Sequence, residues 1–300
     1  MTSETPFKEI EHTLVRDDGV RIAYWQHRAP AARGVLLFIH GVASNHTRFS
    51  EFLKQTALTP AWDTLRLDLR GHALSVDRGV IGIDIWCADL CALLDACGYP
   101  RVVLVGHSLG ANVAAQFAQR YAARVAGLIL IDPVQAQAMQ WGLPRTVAHT
   151  VLSVAARAVR WLGAAGLHRR NLPALDLEQL DRHARALLAQ GRGAEMERLY
   201  SSNWENLKYF PTATYLQDVA QVLHPLPMHV PDVPALMLLS VHGHDAAVEL
   251  NRAYAAHLPH CDVVEIKCNH WILTAAPDAA RAAIEHWLTR PGPVSPPVTS

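Results

Sequence analysis

No stretch of the 300-residue sequence approaches the 18 or more consecutive apolar residues of a membrane span. Neither sign of charge is in excess. Lys and Arg number 27 and Asp and Glu number 27, so the chain as a whole has no pull toward nucleic acid or anionic surfaces. Cysteine is scarce: Cys87, Cys91, Cys97, Cys261 and Cys268 form no CxxC pair, and three of them fall in one expected helix. That spacing excludes a disulfide framework or a zinc ribbon, and the thiols are expected to be reduced and mostly buried. The opening residues, MTSETPFKEIEHT, lack the basic and apolar regions of a secretory signal, so a cytoplasmic location is expected. Only 18% of residues are charged while 50% are hydrophobic, which rules out a solvating or disordered protein and promises a large core.

Short apolar runs alternate with helical patterns. Thr13–Arg16 and Val20–Gln26 flank Asp17-Asp18-Gly19, a strong hairpin signal. Val35–Ile39, Thr64–Leu69, Val102–Val105, Leu128–Ile131, Leu236–Leu239 and Val263–Ile266 read as strands buried on both faces of a parallel sheet. Helices are expected at Ile83–Ala96, at Leu109–Tyr121 and from Pro277 onward. The predicted fold class is therefore α/β, a mostly parallel sheet flanked by helices.

Between Pro133 and Pro234 the strands stop and helical patterns continue at Thr146–Leu162, Leu177–Gln190, Ala194–Tyr200 and Thr212–Leu223. Residues 134–232 are expected to be a helical cap inserted into a core made of residues 1–133 and 233–290. Eight arginines between 157 and 198 face five acids, which reads as a solvated face and not a nucleic-acid stripe. The proline-rich tail, 291–300, is expected to be disordered.

Gly106-His107-Ser108-Leu109-Gly110 joins a strand to a helix. A G-x-S-x-G in that setting holds its serine in strained backbone at the sheet's C-terminal edge, beside the free N–H groups of a helix start. A serine alcohol needs a base, and the base needs an orienting carboxylate. His270 follows the last strand and is the expected base. Asp245, in SVHGHDAAV after the preceding strand, is the expected acid, with Asp132 in LIDP as the alternative. His242-Gly243-His244-Asp245 lacks the wider ligand set of a zinc hydrolase, so no metal is expected. Oxyanion donors are expected from the amides of Leu109 and Val42. His40, Gly41, His107 and Trp271 are candidate substrate contacts.

These motifs resemble the α/β-hydrolase superfamily, of the type with a helical cap, over residues 12 to 290. His40-Gly41, Asp68-Leu69-Arg70-Gly71-His72, GHSLG at 106–110, LIDP at 130–133 and Asn269-His270 carry the resemblance. It implies an eight-stranded sheet with residues 134–232 as lid. Ser108 replaces the aspartate of the related epoxide hydrolases and haloalkane dehalogenases, and HGVA replaces their HG-x-P, which argues against both activities. Ala111 stands where many members have glycine, and the acid loop departs from the commoner Gly-x-x-Asp.

A serine esterase acting on a small to medium apolar ester is therefore expected, with no cofactor, as a monomer or homodimer. The same triad could serve C–C bond hydrolysis, thioester cleavage or acyl transfer. A slow-turnover ligand receptor or a protein docking through its cap helices are the remaining classes. Trp141, Trp161, Tyr200, Trp204, Tyr209, Phe210 and Tyr215 supply aromatics that could line a pocket or pack the cap.

Overall fold

A computed structural model describes residues 7–139, 142–242 and 245–290. Trp141 and the tail 291–300 lie outside the described residues, as does the side chain of Trp204. Eight strands form one sheet: β1 (Ile10–Val15), β2 (Arg21–His27), β3 (Val35–Ile39), β4 (Asp63–Leu67), β5 (Val102–His107), β6 (Val125–Ile131), β7 (Pro234–Ser240) and β8 (His260–Ile266). Their spatial order is β1-β2-β4-β3-β5-β6-β7-β8. The first hairpin and the β2–β4 pair are antiparallel, and β4 through β8 run parallel. The Asp-Gly turn works as its sequence suggests: Gly19 takes φ +81°, and its amide donates to the Arg16 carbonyl at 2.8 Å.

Flanking the sheet are α1 (Ser50–Gln55), α2 (Ile83–Cys97), α3 (Leu109–Arg120), α9 (Asp245–Ala255), α10 (Ile272–Ala275) and α11 (Pro277–Thr289). Between β6 and β7 lie α4 (Arg145–Ala164), α5 (Leu177–Ala189), α6 (Gly193–Ser201), α7 (Asn203–Tyr209) and α8 (Thr212–Val222), with no strand among the described residues there. Alternation along β3 divides the core. Val35, Leu37 and Ile39 pack with α2 and α3, while Leu36 and Phe38 pack with Phe49, Phe52, Ile284 and Trp287 on the other face. α2 ends where Gly98 enters the left-handed region at φ +73°, letting the Tyr99 amide reach back to the Leu94 carbonyl. β8 departs from expectation. It is an edge strand, and only Ile266 of it is buried. The cysteines are all free; Cys87 and Cys268 are buried and the other three are half-buried, with burial pushing the Cys87 and Cys268 thiols up to about 12.

Two buried ion pairs hold the helical insertion on the sheet. His72, in the turn after β4, places Nε2 2.8 Å from Asp218 Oδ2 on α8, both side chains 1% exposed. Arg48, in the helical turn His46–Phe49 after β3, donates from Nη1 to both carboxylate oxygens of Asp181 on α5, at 2.8 and 3.0 Å. Asp181 also accepts from Tyr200 of α6 at 2.6 Å and from Thr274 of α10 at 2.9 Å.

Burial opposes protonation of His72, yet the Asp218 carboxylate wins and its pKa rises above the ordinary 6.5. A histidine raised in the folded state adds stability that is whole below its unfolded value and fades as pH climbs through the folded one. Asp218→Asn keeps a hydrogen-bonding partner but removes the charge. Urea midpoints should show wild type exceeding this variant by most below pH 6.5 and by progressively less above it.

Candidate active site

The turn from β5 into α3 is crowded to the point that only glycine fits on either side of Ser108. A Cβ on Gly106 would lie 2.3 Å from the Gly110 carbonyl oxygen, and one on Gly110 would lie 2.1 Å from that of Ile39. Ser108 itself sits at φ +57°, ψ −125°, a conformation that costs a non-glycine residue on the order of 1–3 kcal/mol. Its amide donates to the Ile131 carbonyl at 2.9 Å, which ties the turn to the end of β6.

That tie decides which acid serves the histidine. β5 and β6 pair His107 with Ile131, so the residue after each, Ser108 and Asp132, emerges side by side at the sheet's C-terminal edge. His270, beyond β8, reaches both: its Nε2 lies 3.0 Å from Ser108 Oγ and its Nδ1 lies 2.5 Å from Asp132 Oδ2. The serine hydroxyl can donate to Nε2 while Nδ1–H donates to the carboxylate. Here the expectation for Asp245 is corrected. The carboxylate bonded to His270 belongs to Asp132, the alternative acid; Asp245 opens α9, and its side chain lies outside the described residues.

Asp132 is held by residues that the sequence did not single out. Ser240, at the end of β7, donates to it from its amide at 3.0 Å and its hydroxyl at 2.8 Å. Asn112 of α3 brackets Val134 through both its amide and its carbonyl, and Asn251 of α9 donates to the Pro133 carbonyl at 3.0 Å. These contacts keep Asp132 at φ +46°, a second strained residue at the same edge. Burial alone would raise its carboxyl, but the bonds from His270 and Ser240 outweigh it and hold the group below its ordinary value. Asp132 is thus ionised and aimed.

The loop after β3 passes directly over the nucleophile. A Cβ on Gly41 would fall 3.0 Å from both Ser108 Cβ and the His107 carbonyl oxygen, so the close approach needs glycine. His40 does not fit its expected role as a substrate contact. It is fully buried, accepting from the Leu69 amide at Nε2 (3.0 Å) and donating from Nδ1 to the Gly41 carbonyl (2.9 Å). Burial and the neighbouring His72 depress its pKa to about 3, so it is a neutral latch between two loops. The Asp-Leu-Arg-Gly-His motif is likewise structural. Asp68 accepts from the His46 amide and ring, and Arg70 grips Asp89 through two nitrogens.

A cleft of about 100 Å³ opens at Ser108, bounded by Gly41, Val42, His107, His270 and Trp271 on the sheet side. Leu177, Leu180, Leu199, Tyr200 and Tyr209 close it from the insertion. Trp271 stacks on Tyr200 at 5.3 Å between centroids. Burial, then the charges of His270 and Arg48, drive the His107 pKa down to about 3, so this ring stays neutral beside His270. Among the other aromatics, Phe210 is buried against His72, and Trp161 is 78% exposed on α4, far from a lining role.

Comparison with known proteins agrees with this fold. The family model described as alpha/beta hydrolase fold matches residues 34–277. A 2-(acetamidomethylene)succinate hydrolase of Mesorhizobium japonicum is 32% identical over 100 residues, 33% of this chain and 35% of that protein. Lipase LipV of Mycobacterium tuberculosis is 35% identical over 169 residues, 54% of this chain and 62% of LipV. The chain therefore spans about a third to just under two thirds of the length of these relatives. A hydrolase from Pseudomonas aeruginosa superposes with a TM-score of 0.66 at 20% identity, covering 93% of this chain and 98% of its own, a likeness of fold.

Asp132→Asn should leave the fold intact and cut turnover by about 10⁴, because the amide supports the wrong imidazole tautomer. Asp245→Asn should turn over like wild type. Steady-state rates of the two variants measured side by side decide between the acids.

Proposed function

The chain belongs to the α/β-hydrolase fold family, and from that premise we propose that it is a serine hydrolase cleaving carboxylic esters of small to medium apolar substrates. The observation that carries this reading is the unbroken chain Ser108–His270–Asp132, with spacings of 3.0 and 2.5 Å, at the floor of a cleft walled by Leu177, Leu180, Leu199 and Trp271, with Arg48 and Glu205 also on its lining.

Ser108 Oγ attacks the ester carbonyl as its proton passes to His270 Nε2, and Asp132 stabilises the imidazolium. The Leu109 amide, at the first position of α3 where no intrahelical acceptor exists, and the Val42 amide bind the oxyanion. The same proton then leaves with the alcohol. Water attacks the acyl-enzyme, its proton going to Nε2 and back to Ser108, and the acid is released. Gly41 makes room for the developing tetrahedral centre, and Trp271 with Tyr200 forms the wall against the acyl group. Residues 134–232 act as the cap that limits acyl length. Thioester, C–C and acyl-transfer chemistry would run through the same atoms, so substrates of those classes belong in the same assay.

A cleft of about 100 Å³ is well below the several hundred of a drug-sized site. Release of p-nitrophenol should therefore be fast from acetyl and butyryl esters and at least tenfold slower from the octanoyl ester. Ser108→Ala should abolish it. Absence of turnover and of any covalent acyl adduct on Ser108 in folded protein would overturn the reading.

A further inference from the structure

α4 packs against α8 on one side, burying Ala148 and Ala156, yet its opposite side is apolar as well. Val147, Val151, Val154 and Trp161 stand 43%, 54%, 62% and 78% exposed. Ala158, also exposed, completes spacings of four, three, four and three residues, one continuous stripe about 21 Å long at 1.5 Å per residue. Leu143 before the helix and Leu162 and Leu167 at its end extend it. Of the fifteen large hydrophobics exposed among the described residues, eight lie between 139 and 167. A patch of this kind marks a surface that meets something apolar.

The charges beside it say what. Residues 134–175 hold five arginines, Arg145, Arg157, Arg160, Arg169 and Arg170, and no Asp or Glu. Elsewhere in the insertion four of the five Lys and Arg residues pair: Arg182 with Glu178, Arg185 with Glu51, Arg192 with Glu195, Lys208 with Glu205. None of the five arginines in 134–175 does so among the described residues. Arg160 bonds the side-chain amide of Gln217, and Arg169 bonds the carbonyls of Leu207, Lys208 and Phe210 at the end of α7, none of them a carboxylate. Arg157, exposed and placed three residues after Val154 and four before Trp161, lies along the edge of the stripe.

We propose that this face of α4 docks on an anionic phospholipid surface, the valine–tryptophan stripe entering the interface and the exposed Arg157 along its edge meeting phosphate headgroups. An apolar stripe flanked by Arg and ending in Trp is the pattern of a helix that lies in the interface plane. No described helix is long and apolar enough to cross a membrane, so the contact is lateral. A second copy of the chain is a poorer occupant: a two-fold contact would set the same unpaired arginines against each other with no acid on the segment to answer them. This docking does not depend on the reaction proposed for Ser108.

The full chain should sediment with vesicles of phosphatidylcholine containing phosphatidylglycerol, at least tenfold more tightly than with phosphatidylcholine alone, and added salt should weaken the binding. Val151→Asp with Val154→Asp should lower it about tenfold or more, and separately Arg157→Gln should lower it about fivefold. Thermal melts of both variants guard against a folding defect, and Trp161→Ser provides a single surface change if the aspartates unfold the helix. Vesicle binding that is absent, or equal for wild type and these variants, would overturn the proposal. So would a concentration-dependent dimer lost in the double aspartate variant, which would assign the stripe to self-association.

Discussion

A parallel strand that must become a helix within one residue, at Ser108, is the constraint on which this molecule depends. The chain can turn there only because Gly106 and Gly110 have no side chains to collide with neighbouring carbonyls, and only if Ser108 accepts a strained backbone. The strain persists because neighbours over-determine it. The Ser108 amide is bonded to β6, and the β3 loop packs on the serine through Gly41. The same anchoring brings Asp132 to the adjacent strand end, where Ser240, Asn112 and Asn251 hold it and its neighbours in turn. Packing that would be a defect elsewhere here fixes a hydroxyl, an imidazole and a carboxylate in line.

The helical insertion is located by charge more than by apolar contact. Arg48–Asp181 and His72–Asp218 are both almost wholly buried. Pairs of this kind bring little net stability, because desolvation offsets their attraction, but removing one partner typically costs about 3–5 kcal/mol. Their effect is positional. Asp181 gathers side chains from the β3 loop, α5, α6 and α10, and α10 begins two residues after His270. The wall of the cleft and the loop carrying the histidine are thus fastened to one carboxylate.

Much of this was legible in the sequence, and the reasons differ by element. All eight strands lie where apolar runs or the hairpin signal put them; the inner ones do so because a strand buried on both faces writes its burial into four or five consecutive residues, as Val35–Ile39 does, whereas the edge strand β8 follows an apolar run of which only Ile266 is buried. Gly106, Ser108 and Gly110 were legible because no other residue types satisfy that turn. The choice of acid was not. Asp132 and Asp245 both follow strands at the correct edge, and only the β5–β6 register and the φ of +46° at Asp132 separate them. A sequence carries no direct record of either. Ser240 hinted at it, a hydroxyl ending an otherwise apolar strand. Arg48 and Asp181 gave no signal at all, being 133 residues apart and ordinary in their local contexts.

α4 shows the same limit from the other side. Its periodicity announces an amphipathic helix, and the natural inference is that the apolar positions face the core. The helix has apolar residues on two sides, and small ones, Ala148 and Ala156, occupy the buried side because α8 comes close there. The larger valines and Trp161 are left outside. Leu152 and Val159 are half-buried, but the buried positions hold alanine and the most exposed hold valine and tryptophan, which packing within one chain does not require. Together with arginines that have no carboxylate to meet, that pattern sets α4 apart from α5 and α6, whose buried positions include Leu177, Leu187 and Met196 and where Arg182 and Arg185 of α5 and Arg192 just before α6 meet carboxylates. A helix built this way satisfies its inner face with the protein and leaves its outer face complementary to something both apolar and negative.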